Sequence, residues 1–314
     1  MSRALNRLHA SIGAWFDAHA VLPVDARDDR IDAMRLLPFL AIHLGCVAIW
    51  WVGVSTTALV VAAALYALRM FAITAFYHRY FAHNAFRTSR AAQFAFALLG
   101  ASAAQRGPLW WASHHRHHHI HADEVEDAHS ALRHGLLRSH LGWFMSRRSF
   151  APRRELVTSL LRYPELRFLD RWDTLSPLLL CALLYAMGTW SANHAPSLGT
   201  TGAQLVVWGF CVSTVALYHA TFSINSLAHR FGKRRYATRD ESRNNAWLAL
   251  PTFGEGWHNN HHHYPAAARQ GFYWWEIDLT YYALKFLQTL GIVWDLRGVP
   301  LKVREARAAA RSAT

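Results

Sequence analysis

Apolar residues along this chain are gathered into blocks, and four of the blocks reach the length of a bilayer crossing, at about 36–55, 57–77, 175–190 and 203–224, the third being the shortest. Short breaks, Val54 to Thr57 and Ser191 to Gly202, separate the members of each pair. The pattern therefore predicts two helical hairpins with larger polar segments, 78–174 and 225–300, outside the lipid. A fifth apolar stretch, Ala91 to Trp111, contains Gln93, Gln105, Arg106 and Pro108, and a crossing there would put the two termini on opposite sides. It reads instead as a helix buried in, or lying on, one face of the bundle. The first 35 residues read as an amphipathic helical segment with no secretory signal pattern, and 301–314 as a polar, basic tail.

Composition supports the membrane reading. Asp, Glu, Lys and Arg make up 17% of the chain, where a soluble domain carries about 25%, and 53% is apolar, including 14 Trp. A conventional water-soluble enzyme and a disordered chain are both excluded. The net charge of +13 would suit a nucleic-acid partner, but its placement decides otherwise. Five basic residues precede the first block, fourteen lie between the second and third, and thirteen follow the fourth; Arg69 sits inside the second, and neither hairpin break holds any. This asymmetry puts both termini and both large polar segments in the cytosol, and leaves no call for nucleic acid. Cys46, Cys181 and Cys211 are odd in number and scattered through apolar blocks, which argues against a disulfide framework or a zinc ribbon. Arg outnumbers Lys thirty to three and Ala is abundant, as in proteins of GC-rich bacteria, which points to a bacterial inner membrane.

Twenty-one His residues carry the candidate chemistry. His78 and His83 end the second block, where about 25 residues make roughly 37 Å of helix against a hydrocarbon core of about 30 Å, so the last turns protrude. His115, His118 and His119 stand at i, i+3 and i+4 and share one helical face; His258, His261 and His262 repeat that spacing. Asn225 and His229 form an i, i+4 pair just past the fourth block. A single surface His is commonly a solvated residue, and one His tract is commonly an adventitious metal binder. Four separated groups converging on one membrane face point to a built site. Imidazole suits zinc, copper, iron and nickel, but a zinc site takes three or four protein ligands, so nine imidazoles imply two ions. Asp123, Glu126, Asp127 and Glu255 are placed to orient ligand rings from behind.

These motifs, His78-Arg-Tyr-Phe-Ala-His83, His115-Arg-His-His118-His119, Asn225-Ser-Leu-Ala-His229 and Gly254-Glu-Gly-Trp-His258-Asn-Asn-His261-His262, resemble those of the membrane-bound fatty acid desaturases, specifically the stearoyl-CoA (acyl-CoA delta-9) desaturase family. The resemblance runs from about residue 30 to 300. It implies an all-α, polytopic fold with four transmembrane helices in two hairpins and a cytosolic helical cap. It also implies two irons held by His78, His83, His115, His118, His119, His229, His258, His261 and His262, with Asn225 contributing through water. His114, His117 and His263 fall outside that ligand frame. Asp127, His129 and Glu255 would support the ligand rings, while His121, His134 and His140 are supporting or surface residues. Gln105, Trp111, Thr221 and Phe222 match the family's acyl tunnel, and Arg147 and Arg148 match basic residues that meet CoA phosphates. Family resemblance implies O2 as co-substrate and a cis double bond as product. His114 and Ser113 depart from the Asp and Arg that animal members carry there, which affects the expected headgroup contacts.

The chain shows no nucleotide fingerprint, no CxxC cluster site and no haem-binding module, so electrons are expected from a separate donor, a ferredoxin or a cytochrome b5-like protein with its reductase. The acyl carrier stays open among CoA, acyl carrier protein and membrane lipid. Two other functions fit the same pattern: a hydroxylase on the same scaffold, and a non-enzymatic metal transporter or sensor. The latter needs ionisable residues along a transmembrane path, where only His43, Arg69 and His219 come near.

Overall fold

The computed structural model describes residues 13, 16–18 and 28–306, so most of the expected N-terminal segment 1–35, and the tail beyond Ala306, lie outside the described residues. The first apolar block folds as helix α1 (Leu36–Val52), the second as α2 (Thr56–Ala82), the third as α5 (Leu175–His194) and the fourth as α6 (Gly202–Leu227). Between them lie α3 (Arg90–Ala101) and α4 (Pro108–His121), and after them α7 (His258–His263) and α8 (Leu279–Thr289). Among the described residues three helices, α2, α5 and α6, are long and apolar enough to cross a membrane.

The four expected crossings are thus corrected in two places. α1 is the shortest, because Gly53 at φ +67° ends it before residue 55. α5, expected to be shortest, continues through Ser191 and Ala192 to His194, whose Nδ1 meets the carbonyl of Trp190 at 3.0 Å. A further departure from the all-α expectation is a two-stranded antiparallel pairing, β1 (Arg87–Thr88) with β2 (Val293–Trp294).

At the end of the bundle away from the histidines, polar groups lock the hairpins together. Ser55 caps α2 and donates from Oγ to Gln204 Oε1 at 2.6 Å, while Gln204 Nε2 reaches the carbonyl of Val52 at 2.9 Å. Trp50 and Trp51 there are 82% and 79% exposed, an arrangement suited to a membrane interface. Deeper in, the fully buried Arg69 of α2 donates to Thr214 Oγ1 (2.7 Å), to the carbonyl of Ser102 (3.2 Å) and to Ser213 Oγ.

α2 holds 27 residues, at most about 40 Å, which is longer than a hydrocarbon core of about 30 Å. The core of the cap gathers around the C-terminal end of α2, with Phe76, Tyr77, Phe81, Leu109, Leu166 and Leu217 buried together. The last stretch of α2, Ala72–Ala82, is a π-helix, a winding frequent at functional sites. Its carbonyls at Phe81 and Ala82 accept from the Arg116 guanidinium of α4 at 2.7 and 2.9 Å, which ties α4 to the end of α2.

The stretch expected as one helix over 91–111 is broken. α3 stops at Ala101, and the turn that follows holds Ala104 and Arg106 at φ +55° and +71° before Pro108 starts α4. Tyr218 of α6 donates to the carbonyl of Ala104 at 2.7 Å, and Arg106 pairs with Asp173 at 3.0 Å, so this strained turn is held from two sides. Asp170 Oδ1 then accepts the Trp110 N–H in the first turn of α4 at 2.8 Å. Gly107 makes that approach possible: a Cβ there would stand 2.3 Å from the Asp170 Cα. Gly107→Ala is expected to cost about 1–3 kcal/mol by overpacking against backbone, read as a lowered unfolding midpoint.

Candidate metal centre

The histidine groups converge as two sets. Ligand atoms of His78, His83, His115, His119 and His261 all lie within 4.8 Å of one another, and so do those of His118, His229, His258 and His262. Five and four account for all nine expected ligands. Each helix contributes through its winding. In α4 and α7 the i, i+3, i+4 spacing of an α-helix presents three rings on one side. His78 and His83 are five apart, which an α-helix would turn well away from each other; the π winding, with its i to i+5 repeat, brings them to one side, where the rings meet edge to face with centroids 5.1 Å apart.

The rings meet through Nε2. The separation is 3.0 Å for His78 and His261, 2.8 Å for His83 and His115, 2.8 Å for His119 and His261, and 3.1 Å for His229 and His258. Behind the rings stand carboxylates. Nδ1 of His118 donates to Asp127 Oδ2 (2.9 Å), of His229 to Asp123 Oδ2 (2.8 Å) and of His262 to Asp240 Oδ2 (2.8 Å), while His78 Nδ1 contacts Glu255. A carboxylate behind the ring fixes the proton on Nδ1 and leaves Nε2 as a lone pair. His118 and His262 then face each other lone pair to lone pair at 3.3 Å, a repulsive arrangement that a cation between them makes attractive. The donor set therefore fits a pair of nitrogen-favouring transition-metal ions.

Burial favours the neutral form of six of the rings, the form a metal needs. It drives His83, His115, His119, His258 and His261 well below the ordinary imidazole range, with neighbouring rings adding to the effect, and His262 to about 4 against the pull of Asp240. For His118 burial acts the same way, but Asp127 with Asp123 and Asp240 outweighs it and raises the group. Burial would lift the carboxyls, yet their histidine partners bring Asp123 down to about 2, and hold Asp127 and Asp240 well below the usual carboxylate range. Glu255 is likewise lowered, by His78 and by Arg79, whose guanidinium also holds Asp278 at 2.9 Å.

The remaining expected residues fall as follows. His129 lies against the His118 ring (4.4 Å between centroids) with Nδ1 3.5 Å from Asp127. Glu126 is exposed and clusters with His121 and Glu124 rather than with a ligand ring. His140 meets Ser226 Oγ at 2.9 Å. Asp240, which holds His262, and Gln270, which touches His78 and Glu255, are supporting residues that the sequence did not single out. His263 turns away, stacked on Tyr236 and 3.1 Å from the carbonyl of Val303. His263→Ala is expected to keep the full metal complement and to change turnover by no more than a few-fold, checked by metal analysis beside product yield.

A cavity of about 470 Å³ opens beside the first set of rings, among α1, α4, α5 and α6. Gln105, Trp111, Thr221, Phe222 and Asn225 all line it, as does His115. Trp111 stacks on His115 (5.1 Å, 21°), and Gln105 Nε2 donates to Thr221 Oγ1 at 2.8 Å, a polar bar in a mainly apolar wall. Arg147 and Arg148 do not line it: Arg147 lies 3.6 Å from Asp28 and 3.8 Å from Asp32, and Arg148 2.8 Å from Asp29.

A family model for fatty acid desaturases matches residues 49–287. The chain is 38% identical over 240 residues to a palmitoyl-monogalactosyldiacylglycerol delta-7 desaturase of Arabidopsis thaliana, covering 76% of this chain and 61% of that one. It is 36% identical over 245 residues to an icosanoyl-CoA 5-desaturase of Limnanthes douglasii, covering 77% and 65%. With an sn-1 stearoyl-lipid 9-desaturase of Anabaena variabilis it shares 35% identity over 271 residues, covering 85% and 94%. The chain thus spans under two thirds of the length of the two plant relatives and nearly all of the cyanobacterial one.

Proposed function

The chain belongs to the fatty acid desaturase family, and from that premise we propose that it inserts a cis double bond, at delta-9, into a long-chain saturated acyl thioester carried by CoA. The nine histidines hold two irons, Asn225 contributes through water, O2 is the co-substrate, and a separate donor supplies electrons. The observation that carries this reading is the division of nine imidazoles into sets of five and four beside an apolar cavity. Iron with O2 supplies hydrogen abstraction from an unactivated methylene, which lies beyond any side-chain base. The protein's share is placement. Trp111 braces His115 from the cavity side, and the Gln105–Thr221 bar gives a featureless chain a fixed point at which to bend. The protein is an integral membrane protein of the bacterial inner membrane, crossing four times with termini and metal centre in the cytosol. Supporting the crossing by α1 is the run of the chain from Asp32, whose N–H meets the Met145 carbonyl of the cap at 3.1 Å, through α1 to Val52, beside Gln204 at the far end.

A second carrier is favoured by specific observations. Arg147 and Arg148 are engaged by Asp28, Asp29 and Asp32, and the cavity wall includes Ala41 and Leu178, exposed residues of two apolar helices. Both features suit an acyl chain entering sideways from a membrane glycerolipid. Purified, iron-loaded protein in lipid nanodiscs, given reduced ferredoxin and either stearoyl-CoA or a distearoyl lipid, separates the cases by mass spectrometry. Loss of two mass units from the CoA ester supports the first carrier, and from the lipid alone the second. A gain of sixteen makes the protein a hydroxylase, and metal uptake into vesicles without oxygen consumption makes it a transporter.

A further inference from the structure

The reaction proposed above, on which this inference rests, consumes two electrons and two protons with each O2: the two hydrogens of the acyl chain leave with them as two waters, while the donor is oxidised by one electron on each of two visits. A donor therefore has to approach the buried histidines from outside. One loop offers that approach. The segment after α6, residues 230–243, carries Arg230, Lys233, Arg234, Arg235, Arg239 and Arg243 against two acids, Asp240 and Glu241. Asp240 is buried and engaged by His262, and Glu241 pairs with Arg234 and Arg243 at 2.6 and 3.2 Å. Arg230, Lys233 and Arg239 are exposed.

The same loop is the outer wall of both ring sets. Arg239 donates to the carbonyl of Ile120 at 2.6 Å and to that of the ligand His119. Its neighbour Asp240 holds His262, and the Glu241 N–H reaches Asp123 Oδ2 at 2.8 Å behind His229. A surface guanidinium is thereby separated from ligands of both sets by one residue or fewer. Arg133, also exposed, joins the patch through a 2.9 Å hydrogen bond to the carbonyl of Asp123. Exposed cations elsewhere, such as Arg162 and Arg167, lie on a segment whose hydrogen bonds reach no ligand or supporting carboxylate.

We propose that the loop 230–243, with Arg133, is the docking surface for an acidic one-electron carrier protein, and that electrons enter beside Arg239 and Asp240. Charge complementarity at such a surface sets the encounter rate and its salt dependence.

The test uses the full, iron-loaded chain in nanodiscs of neutral lipid, with an acidic [2Fe–2S] ferredoxin as probe. For R230E/K233E, binding of the oxidised ferredoxin is expected to weaken by about tenfold or more at low salt, and anaerobic reduction of the iron by reduced ferredoxin to slow in proportion. Reduction by dithionite, which needs no docking surface, serves as the control, and K233E alone replaces the double variant should that one lose iron. Wild-type ferredoxin binding in these variants, or a larger effect from R162E/R167E, overturns the assignment. So does an effect of the substitutions seen only in discs of anionic lipid, which would make the patch a headgroup contact. Both readouts proceed without an acyl substrate, so the failure of desaturation itself would be seen separately, as normal ferredoxin docking without an unsaturated product.

Discussion

Replacing His119 with Ala is expected to abolish turnover and to leave the chain with fewer than two metal ions. His119 links the two sets: its Nε2 lies 3.0 Å from that of His115 and 2.8 Å from that of His261, and its ring stacks at 4.4 Å on His262 of the other set. Removing even a residue that supports a ligand commonly costs 10–100-fold in metal affinity or activity, so loss of the ligand itself sets about 100-fold as a lower bound here. Burial and the neighbouring rings hold His119 well below the ordinary imidazole range, so the substitution removes a neutral nitrogen donor. Metal analysis and product yield measured on one preparation decide the matter. Two irons and full turnover in His119→Ala would remove the ring from the centre, and the contrast with His263→Ala, one position past His262, tests the register of the last motif.

Much of this site was legible because helical period converts spacing into direction. His115, His118 and His119, like His258, His261 and His262, needed only an α-helix to share a face, and α4 and α7 provide it. The pair His78 and His83 is a different case. At a spacing of five, an α-helix would separate them, and only the π winding of residues 72–82 brings them together; nothing in HRYFAH announces that winding. It is set by tertiary partners, among them the Arg116 guanidinium on the final carbonyls and the Arg79 guanidinium drawn to Asp278 and Glu255.

The hairpins were legible in the same way, from runs of apolar residues, but their ends were not. Gly53 cuts α1 short by its backbone conformation, whereas the polar Ser191 and Asn193 continue α5, because side-chain polarity at a helix end says little about whether the backbone keeps turning. The break between α3 and α4 was masked by the opposite effect. Ser102, Ala103 and Ala104 look helical, and the turn exists because Arg69, Tyr218 and Asp173 hold it from other parts of the chain. Its consequence is functional, since it carries Gln105 across to Thr221 in the cavity wall.

Asp240 carries the largest expected effect outside the ligands, and it was invisible to spacing because it reaches His262 from a loop 22 residues earlier in the chain. Its carboxylate is buried, accepts from His262 Nδ1 at 2.8 Å, and takes the backbone N–H of Ser242 on the other oxygen at 2.9 Å. These contacts outweigh the burial that opposes its charge, so the group stays ionised and raises the basicity of the His262 ring. Asp240→Asn preserves shape and removes the charge. The carboxamide is also free to present its N–H₂ to the ring, which would favour the tautomer with the proton on Nε2, where the metal lone pair is needed. The variant is expected to fold, to keep the cavity, and to release metal from the set of four histidines 10–100-fold more readily under graded chelator competition, with turnover falling alongside. Glu255→Gln, acting through His78, should weaken the set of five instead. Metal retention and turnover equal to wild type in Asp240→Asn would mean that the ring is held by packing alone, and that the carboxylate serves only the loop above it.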